Sequence, residues 1–265
     1  MNTTQLFQSA KPIIGMVHLL PLPGSPGYQG DLAPVIQRAK EDAHALLEAG
    51  FDGMIVENFS DLPYTTGPGP LERTVAFTIV LNEIRKIMNK PLGANVQFND
   101  YEAEIITAGL CKANFVRIEA YVDNLTTVSG ITPACSANVQ RLKARFGFRD
   151  LLVFADVHVK EASLIGTATL EESIKNAEHA GADAIIITGT ATGQATPVEA
   201  IQLAKRTTSL NVFVGSGFNK EHAKELMKIV DGAIVGSSIK VSGKATNPVD
   251  LAAAKELIAT VREQA

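Results

Sequence analysis

Val212-Phe213-Val214-Gly215-Ser216-Gly217-Phe218 and Gly232-Ala233-Ile234-Val235-Gly236-Ser237-Ser238-Ile239-Lys240 decide the fold. Each is a short apolar, β-branched run that stops at a small glycine- and serine-rich turn. A helical pattern from about Asn219 to Val230 separates them. Two such strands in succession read as the last two of a (β/α)8 barrel, a fold whose loops after strands seven and eight often cradle a phosphate. Glycine lets the backbone come close, and exposed N–H groups at a turn favour an anion. The plain alternative is that these residues only make tight turns.

Working outward, strand and helix patterns alternate along the whole chain. Strands are expected at Ile13–His18, Gly53–Val56, Leu92–Gln97, Phe115–Glu119, Leu151–Val157 and Ala184–Thr188 ahead of the closing pair. Helices are expected at about Leu32–Ala49, with Asp31 as N-cap and Gly50 as C-cap, then Leu71–Met88, Asp100–Ala108, Ala134–Phe146 and Leu170–Ala180. Two more begin at Pro197 and Pro248, proline being favoured in a first turn. Irregular stretches at about Phe59–Pro70 and Tyr121–Pro133 interrupt the series, and a loop as long as the first is usually functional or disordered. Such alternation implies a parallel sheet with right-handed crossovers. The length of 265 residues suits one barrel of ~250 residues. An open doubly wound sheet is the runner-up. Against it, the first strand ends in His18 and a proline-rich loop rather than a GxGxxG turn. No composition break marks a linker, so one domain over residues 1–265 is expected.

Hydrophobic residues are 46% and charged residues 20%, a balance that supports a large core. The net charge of −4 gives no reason to expect nucleic acid as a partner. Two cysteines, Cys111 and Cys135, cannot build a disulfide framework and fit a reducing, cytoplasmic setting. Neither a signal peptide nor an integral membrane segment is recognisable.

Strand side chains alternate between faces. On that basis Asn95 and Gln97 share one face of the third strand, and Arg117 and Glu119 one face of the fourth. In the fifth strand Leu152 and Phe154 share a face with Asp156, His158 and Lys160. That face turns from apolar to ionisable toward its carboxyl end, where sites in this fold lie. His18 and Glu57 end the first and second strands. Buried ionisable groups are costly unless paired, so their convergence at a barrel mouth reads as a site or as a structural ion-pair ring. His44, His179 and His222 fall in helical segments and read as surface or packing residues.

The Asp156-x-His158-x-Lys160 run leaves several mechanisms open. Asp156 could orient His158 for proton transfer. Glu57, Asp156 and His158 could instead hold a divalent metal, although no HxxxH or CxxC pair supports one. An imine at Lys160 is a third option, ranked below a simple pairing of that lysine with phosphate or carboxylate.

Several stretches resemble the BtpA/SgcQ family. They are Ile14-Gly15-Met16-Val17-His18-Leu19 with Pro21-Leu22-Pro23-Gly24-Ser25-Pro26, Asp52 to Phe59, and Ala155-Asp156-Val157-His158-Val159-Lys160. The turns Thr188-Gly189-Thr190-Ala191-Thr192-Gly193, Val214 to Gly217 and Asp231 to Gly236 match as well. The resemblance covers nearly the whole chain and implies a TIM-like barrel. It departs at Gln97-Phe98, where a Leu-Arg pair is expected, at Glu119 for Asn, and at Glu161 for His. For function it implies two roles. One is an enzyme tied to sugar utilisation, a nucleosidase or triphosphatase; the residues themselves leave a hydrolase and a sugar-phosphate lyase or isomerase open. The other is a non-catalytic biogenesis factor of the photosystem I-associated type.

The reading carried forward is acid/base chemistry on a small phosphorylated metabolite, a sugar phosphate or nucleoside-like compound. His158, oriented by Asp156, is expected to move the proton with Glu57 as its partner, while Lys160 and Arg117 stabilise negative charge. His18, Asn95, Gln97, Glu119, Thr188 and Thr190 are expected to contact substrate. The backbone of Gly215, Ser216, Gly217, Gly236 and Ser237 is expected to hold the phosphate. Cofactor and homo-oligomeric state stay open.

Overall fold

The computed structural model describes residues 3–189 and 196–263. Eight parallel strands close into a barrel in chain order: β1 (Ile13–His18), β2 (Gly53–Glu57), β3 (Leu92–Asn95), β4 (Phe115–Ile118), β7 (Leu152–Val157), β9 (Ala184–Ile187), β10 (Asn211–Val214) and β11 (Gly232–Val235), which pairs back on β1. Three short strands, β5 (Leu125–Thr127), β6 (Gly130–Thr132) and β8 (Ser163–Leu164), form a separate antiparallel sheet. The helices are α1 (Thr3–Phe7), α2 (Ala33–Ala49), α3 (Leu71–Ile87), α4 (Tyr101–Leu110), α5 (Ser136–Phe146), α6 (Leu170–His179), α7 (Val198–Thr207), α8 (Lys220–Ile229) and α9 (Leu251–Arg262).

Two apolar layers hold this together. Outward-facing strand residues such as Val17, Val56, Ala94, Val116 and Val214 pack under the helices. Inward-facing residues form a second cluster of Ile14, Met16, Ile55, Phe115, Phe154, Ile186, Phe213 and Ile234. The two sets interleave because successive strand residues point to opposite faces. Large rings fit the barrel interior only because glycines face them: a Cβ on Gly93 would stand 2.5 Å from the Phe115 ring, and one on Gly232 2.4 Å from that of Phe213.

The helix ends follow local chemistry. Gly50 ends α2 in the left-handed region at φ 90°, as expected. Asp31 is one position early for the N-cap; Leu32 occupies it, and Asp31 Oδ1 instead accepts from Ala33 N at 2.9 Å. Asp100 caps α4 through Ala103 N and also pairs with buried Arg73, so one carboxylate ties the first turn of α3 to the start of α4. Thr169 and Glu172 form a reciprocal capping box on α6.

Three features went unforeseen. The short α1 brings Phe7 under the barrel, the small sheet occupies part of the stretch expected to be irregular, and a 3-10 turn, Ser237–Ile239, follows β11. Strand β3 also ends two residues earlier than expected, so Gln97 belongs to the loop above it. Among the described residues no helix is long and apolar enough to cross a membrane.

Candidate active site

A cavity of about 240 Å³ opens at the carboxyl ends of the strands. Its lining includes His18, Glu57, Gln97, Arg117, Glu119 and Lys160, and across from them Gly215, Ser216, Gly217, Gly236 and Ser237. Phe59, Leu62 and Tyr64 from the loop after β2, Phe98, and Thr127, Val128 and Ser129 at the β5–β6 turn form part of the wall.

The polar floor is built from strand ends. Gln97 Nε2 lies 3.2 Å from Glu57 Oε1, 2.8 Å from Glu119 Oε1 and 3.0 Å from Asn95 Oδ1. An amide nitrogen has two hydrogens, so three acceptors share them. Asn95 Nδ2 donates to the same Glu119 oxygen at 2.7 Å and to Arg117 O at 2.7 Å. Asn95 is therefore buried beneath the cavity as a support for Glu119 and does not line it, contrary to its expected contact with substrate.

Glu119 Oε2 is buried and has no hydrogen-bond partner among the described residues. Burial, reinforced by nearby Asp156, pushes this carboxyl up to about 8, despite Arg117. At neutral pH it therefore carries a proton that Oε2 can hold. Burial also raises the Glu57 carboxyl, and Arg117 and Lys160 oppose that rise.

Arg117 and Asp156 form a two-pronged ion pair, Nε to Oδ2 at 2.8 Å and Nη2 to Oδ1 at 3.0 Å. Asp156 is fully buried behind the guanidinium. Burial disfavours the Arg117 cation, yet Asp156 raises its pKa overall. The pair presents a fixed positive group to the cavity. Gly215 leaves it room, since a Cβ there would lie 3.3 Å from Arg117 Nη2 and 2.5 Å from Ile186.

His18 stacks on Phe59 with ring centroids 4.4 Å apart, and its Nδ1 lies 2.9 Å from Ala245 O. A carbonyl oxygen only accepts, so Nδ1 carries the hydrogen and Nε2 keeps its lone pair. Burial, with Lys240 next, lowers its pKa to about 3. His18 is thus a neutral acceptor. A Cβ on Gly236 would stand 3.3 Å from its ring. Ser238 Oγ donates to Phe218 O at 2.7 Å and ties the two glycine turns together.

The expected partnership of Asp156 with His158 does not form. Strand β7 ends at Val157, and His158 takes a left-handed φ of 48°, which breaks the period-two alternation that had placed it in the mouth. Its amide donates to Asp123 Oδ2 at 3.0 Å, and its side chain lines a separate cavity beside Leu170, Thr188 and Pro197. The alternative metal set of Glu57, Asp156 and His158 fails for the same reason, and among the described residues no group of three or more His, Cys, Asp or Glu could hold a metal. Thr188 lines that second cavity too, and its hydroxyl accepts from Lys160 N at 3.0 Å, so it fixes the lysine backbone. Thr190 lies outside the described residues, as do Ala191, Thr192 and Gly193.

Sequence reasoning missed the walls more than the floor. The β5–β6 turn gave only a weak signal, the alternation of Leu125 to Thr132 around Gly130. Lys240 was also missed; it is buried against Asp42 at 2.9 Å and helps to keep His18 neutral.

A closed eight-stranded parallel barrel with a polar carboxyl-end mouth defines the class: a TIM barrel. A tryptophan synthase structure from Mycobacterium tuberculosis superposes with a TM-score of 0.67 over 97% of each chain at 17% identity, which shows the shared fold. The chain belongs to the BtpA family, whose model matches residues 9–263. It is 42% identical to an uncharacterized protein of Pyrococcus furiosus over 94% of both chains. It is also 34% identical to the photosystem I biogenesis protein BtpA of a Synechocystis strain, over 94% of this chain and 88% of that one.

Proposed function

We propose that this chain is an enzyme that performs acid/base chemistry on a small phosphorylated metabolite, a sugar phosphate or nucleoside-like compound, held in the barrel mouth. One observation carries the reading. Two carboxyl groups with raised pKa values, Glu57 and Glu119, are bridged by one amide on the floor of a cavity whose far wall is glycine and serine backbone. Glu119, protonated at neutral pH, serves as the acid, and Glu57 as the base. Arg117, held by Asp156, stabilises negative charge that develops on substrate oxygen. His18 accepts a hydrogen bond from a substrate hydroxyl through Nε2. The turns at Gly215–Gly217 and Gly236–Ser237 take the phosphate on backbone N–H groups other than that of Gly215, which already donates to Ile187 O at 2.9 Å. The role first expected of His158 passes to Glu119, since the histidine lies elsewhere.

Thermal unfolding in the presence of inorganic phosphate and a panel of sugar and nucleoside phosphates tests this. Phosphate compounds should raise Tm, and Gly217→Asp, which adds a negative charge at the cradle, should abolish the rise. Turnover of the stabilising compound should collapse in Glu119→Gln. A Tm indifferent to every phosphate compound would remove the reading.

A second reading, a non-catalytic assembly factor, draws on the name of the Synechocystis relative and on the exposed Val128 and Ile131 of the β5–β6 hairpin. It predicts a protein partner at that hairpin and no phosphate ligand.

A further inference from the structure

We propose that Lys160 forms a covalent imine with the carbonyl carbon of an aldehyde or ketone sugar phosphate bound in the barrel mouth. This names the substrate class of the proposed enzyme and rests on that reading.

The lysine is placed for such chemistry. It lines the same cavity as Glu57, Glu119 and the glycine turns. Its backbone is fixed by the Thr188 hydroxyl, and left-handed residues, His158 at φ 48° and Glu161 at φ 58°, bracket it. Non-glycine residues held in that region carry strain that the surrounding fold must offset, and such strain gathers at functional sites. Glu57, Asp156 and Glu161 lie near enough to favour the Lys160 charge, but among the described residues none is seen within ion-pairing distance of its ammonium. Lys240 makes the contrast: it is more deeply buried, but Asp42 neutralises it at 2.9 Å. A lysine kept for structure is paired, whereas one kept for chemistry needs its nitrogen free. Burial, then Arg117, lowers the Lys160 pKa, so more of the amine is neutral at physiological pH.

The neighbours supply the protons. The Lys160 lone pair forms a C–N bond as the carbonyl π electrons move to oxygen, which takes the Glu119 proton. The nitrogen, now positive, passes one proton to the Glu57 carboxylate. The C–O bond then breaks, the hydroxyl leaves as water with the proton returned from Glu57, and the nitrogen lone pair closes the iminium bond. Lysine, carbonyl and protonated Glu119 become iminium, water and carboxylate. Nothing is oxidised or reduced, and no further reactant is needed. The positive nitrogen draws electrons from the adjacent carbon, which suits an isomerase or a lyase that breaks a C–H or C–C bond there.

Borohydride trapping tests the assignment. The protein is incubated with dihydroxyacetone phosphate or glyceraldehyde 3-phosphate, reduced, digested and mapped by mass spectrometry. The expected result is a saturable adduct on the Lys160 peptide, reduced by excess inorganic phosphate and at least about tenfold weaker in Lys160→Arg, which keeps the charge but cannot form the bond. Lys160→Met serves as a second variant, and circular dichroism checks that each is folded. The trapping rate of the wild type should level off at a lower pH than a surface lysine requires. Adducts scattered over surface lysines, or an equal yield in folded Lys160→Arg, would overturn the proposal. If neither probe leaves an adduct while inorganic phosphate still raises Tm, the imine fails and the phosphate reading survives. If phosphate also leaves Tm unchanged, both fail.

Discussion

The two ends of the barrel are made from the same eight strands and behave as opposites. At the amino end Phe7 meets Phe115 edge-on, with ring centroids 5.6 Å apart, and Phe154 stacks on Phe115 at 4.6 Å and tilts against Phe213 at 5.1 Å. The interior of this end is an aromatic plug, and the polar groups around its rim are paired, as Asp52 is with Ile13 N at 2.7 Å and Asp231 with Val212 N at 2.8 Å. At the carboxyl end, two residues further along the same inward faces, Phe115 gives way to Arg117, Phe154 to Asp156 and Ile55 to Glu57. There Glu119 Oε2 is buried without a partner among the described residues. A chain selected only for stability gains by continuing the aromatic plug upward. The mouth instead keeps buried charge and unspent hydrogen-bonding capacity, as expected where binding or chemistry is performed.

The largest expected effects test whether the ends differ in kind. Phe154→Ala should lose about 3–5 kcal/mol in chemical denaturation, through lost burial and a cavity. Asp156→Ala should lose a similar ~3–5 kcal/mol, because it strands the buried Arg117 cation. The double change Arg117→Met with Asp156→Leu should regain most of that loss, since a well-packed apolar pair can replace a buried ion pair. If the double change proved as unstable as the single, the ion pair would be a net stabiliser of the barrel and the contrast between the ends would weaken.

An intermediate effect concerns pH. The Glu119 carboxyl stands near 8 in the folded chain against a usual value of 4.5. The folded state therefore binds the proton more tightly, and the stability this confers is complete below about pH 4.5 and declines as pH rises through about 8. Glu119→Gln cannot titrate. Its Tm relative to wild type should rise steadily between those limits, and a constant difference would refute the protonated acid. The smallest effect compares two left-handed glycines. Gly217→Ala in the mouth (φ 68°) and Gly50→Ala at the end of α2 (φ 90°) should each lose about 1 kcal/mol. Only the first should also weaken stabilisation by inorganic phosphate.

Much of the barrel was legible because its determinants are local. Alternating apolar runs, caps such as Gly50 and the turns after Val214 and Val235 mark strand and helix without reference to distant residues. Phe7 was not legible, since a five-residue helix gives no periodic signal and its partners lie in three remote strands. At the cavity, Glu57 and Arg117 lie within strands and follow the alternation, whereas Gln97, Glu119 and Lys160 line it from positions past the ends of their strands. His158 was lost because alternation was extended past Val157, where the strand had already ended.

The order of side chains along each strand therefore belongs to the sequence alone, and so do the parallel (β/α)8 repeat and the ionisable tips of its strands. Tertiary structure decided that His158 lines a separate cavity, that burial raises the Glu119 carboxyl to about 8 and that Lys160, unlike Lys240, forms no close ion pair among the described residues. The reason is range. A period of two is set by neighbouring residues, whereas the charge state of a buried group depends on burial and on charges from strands far apart in the chain.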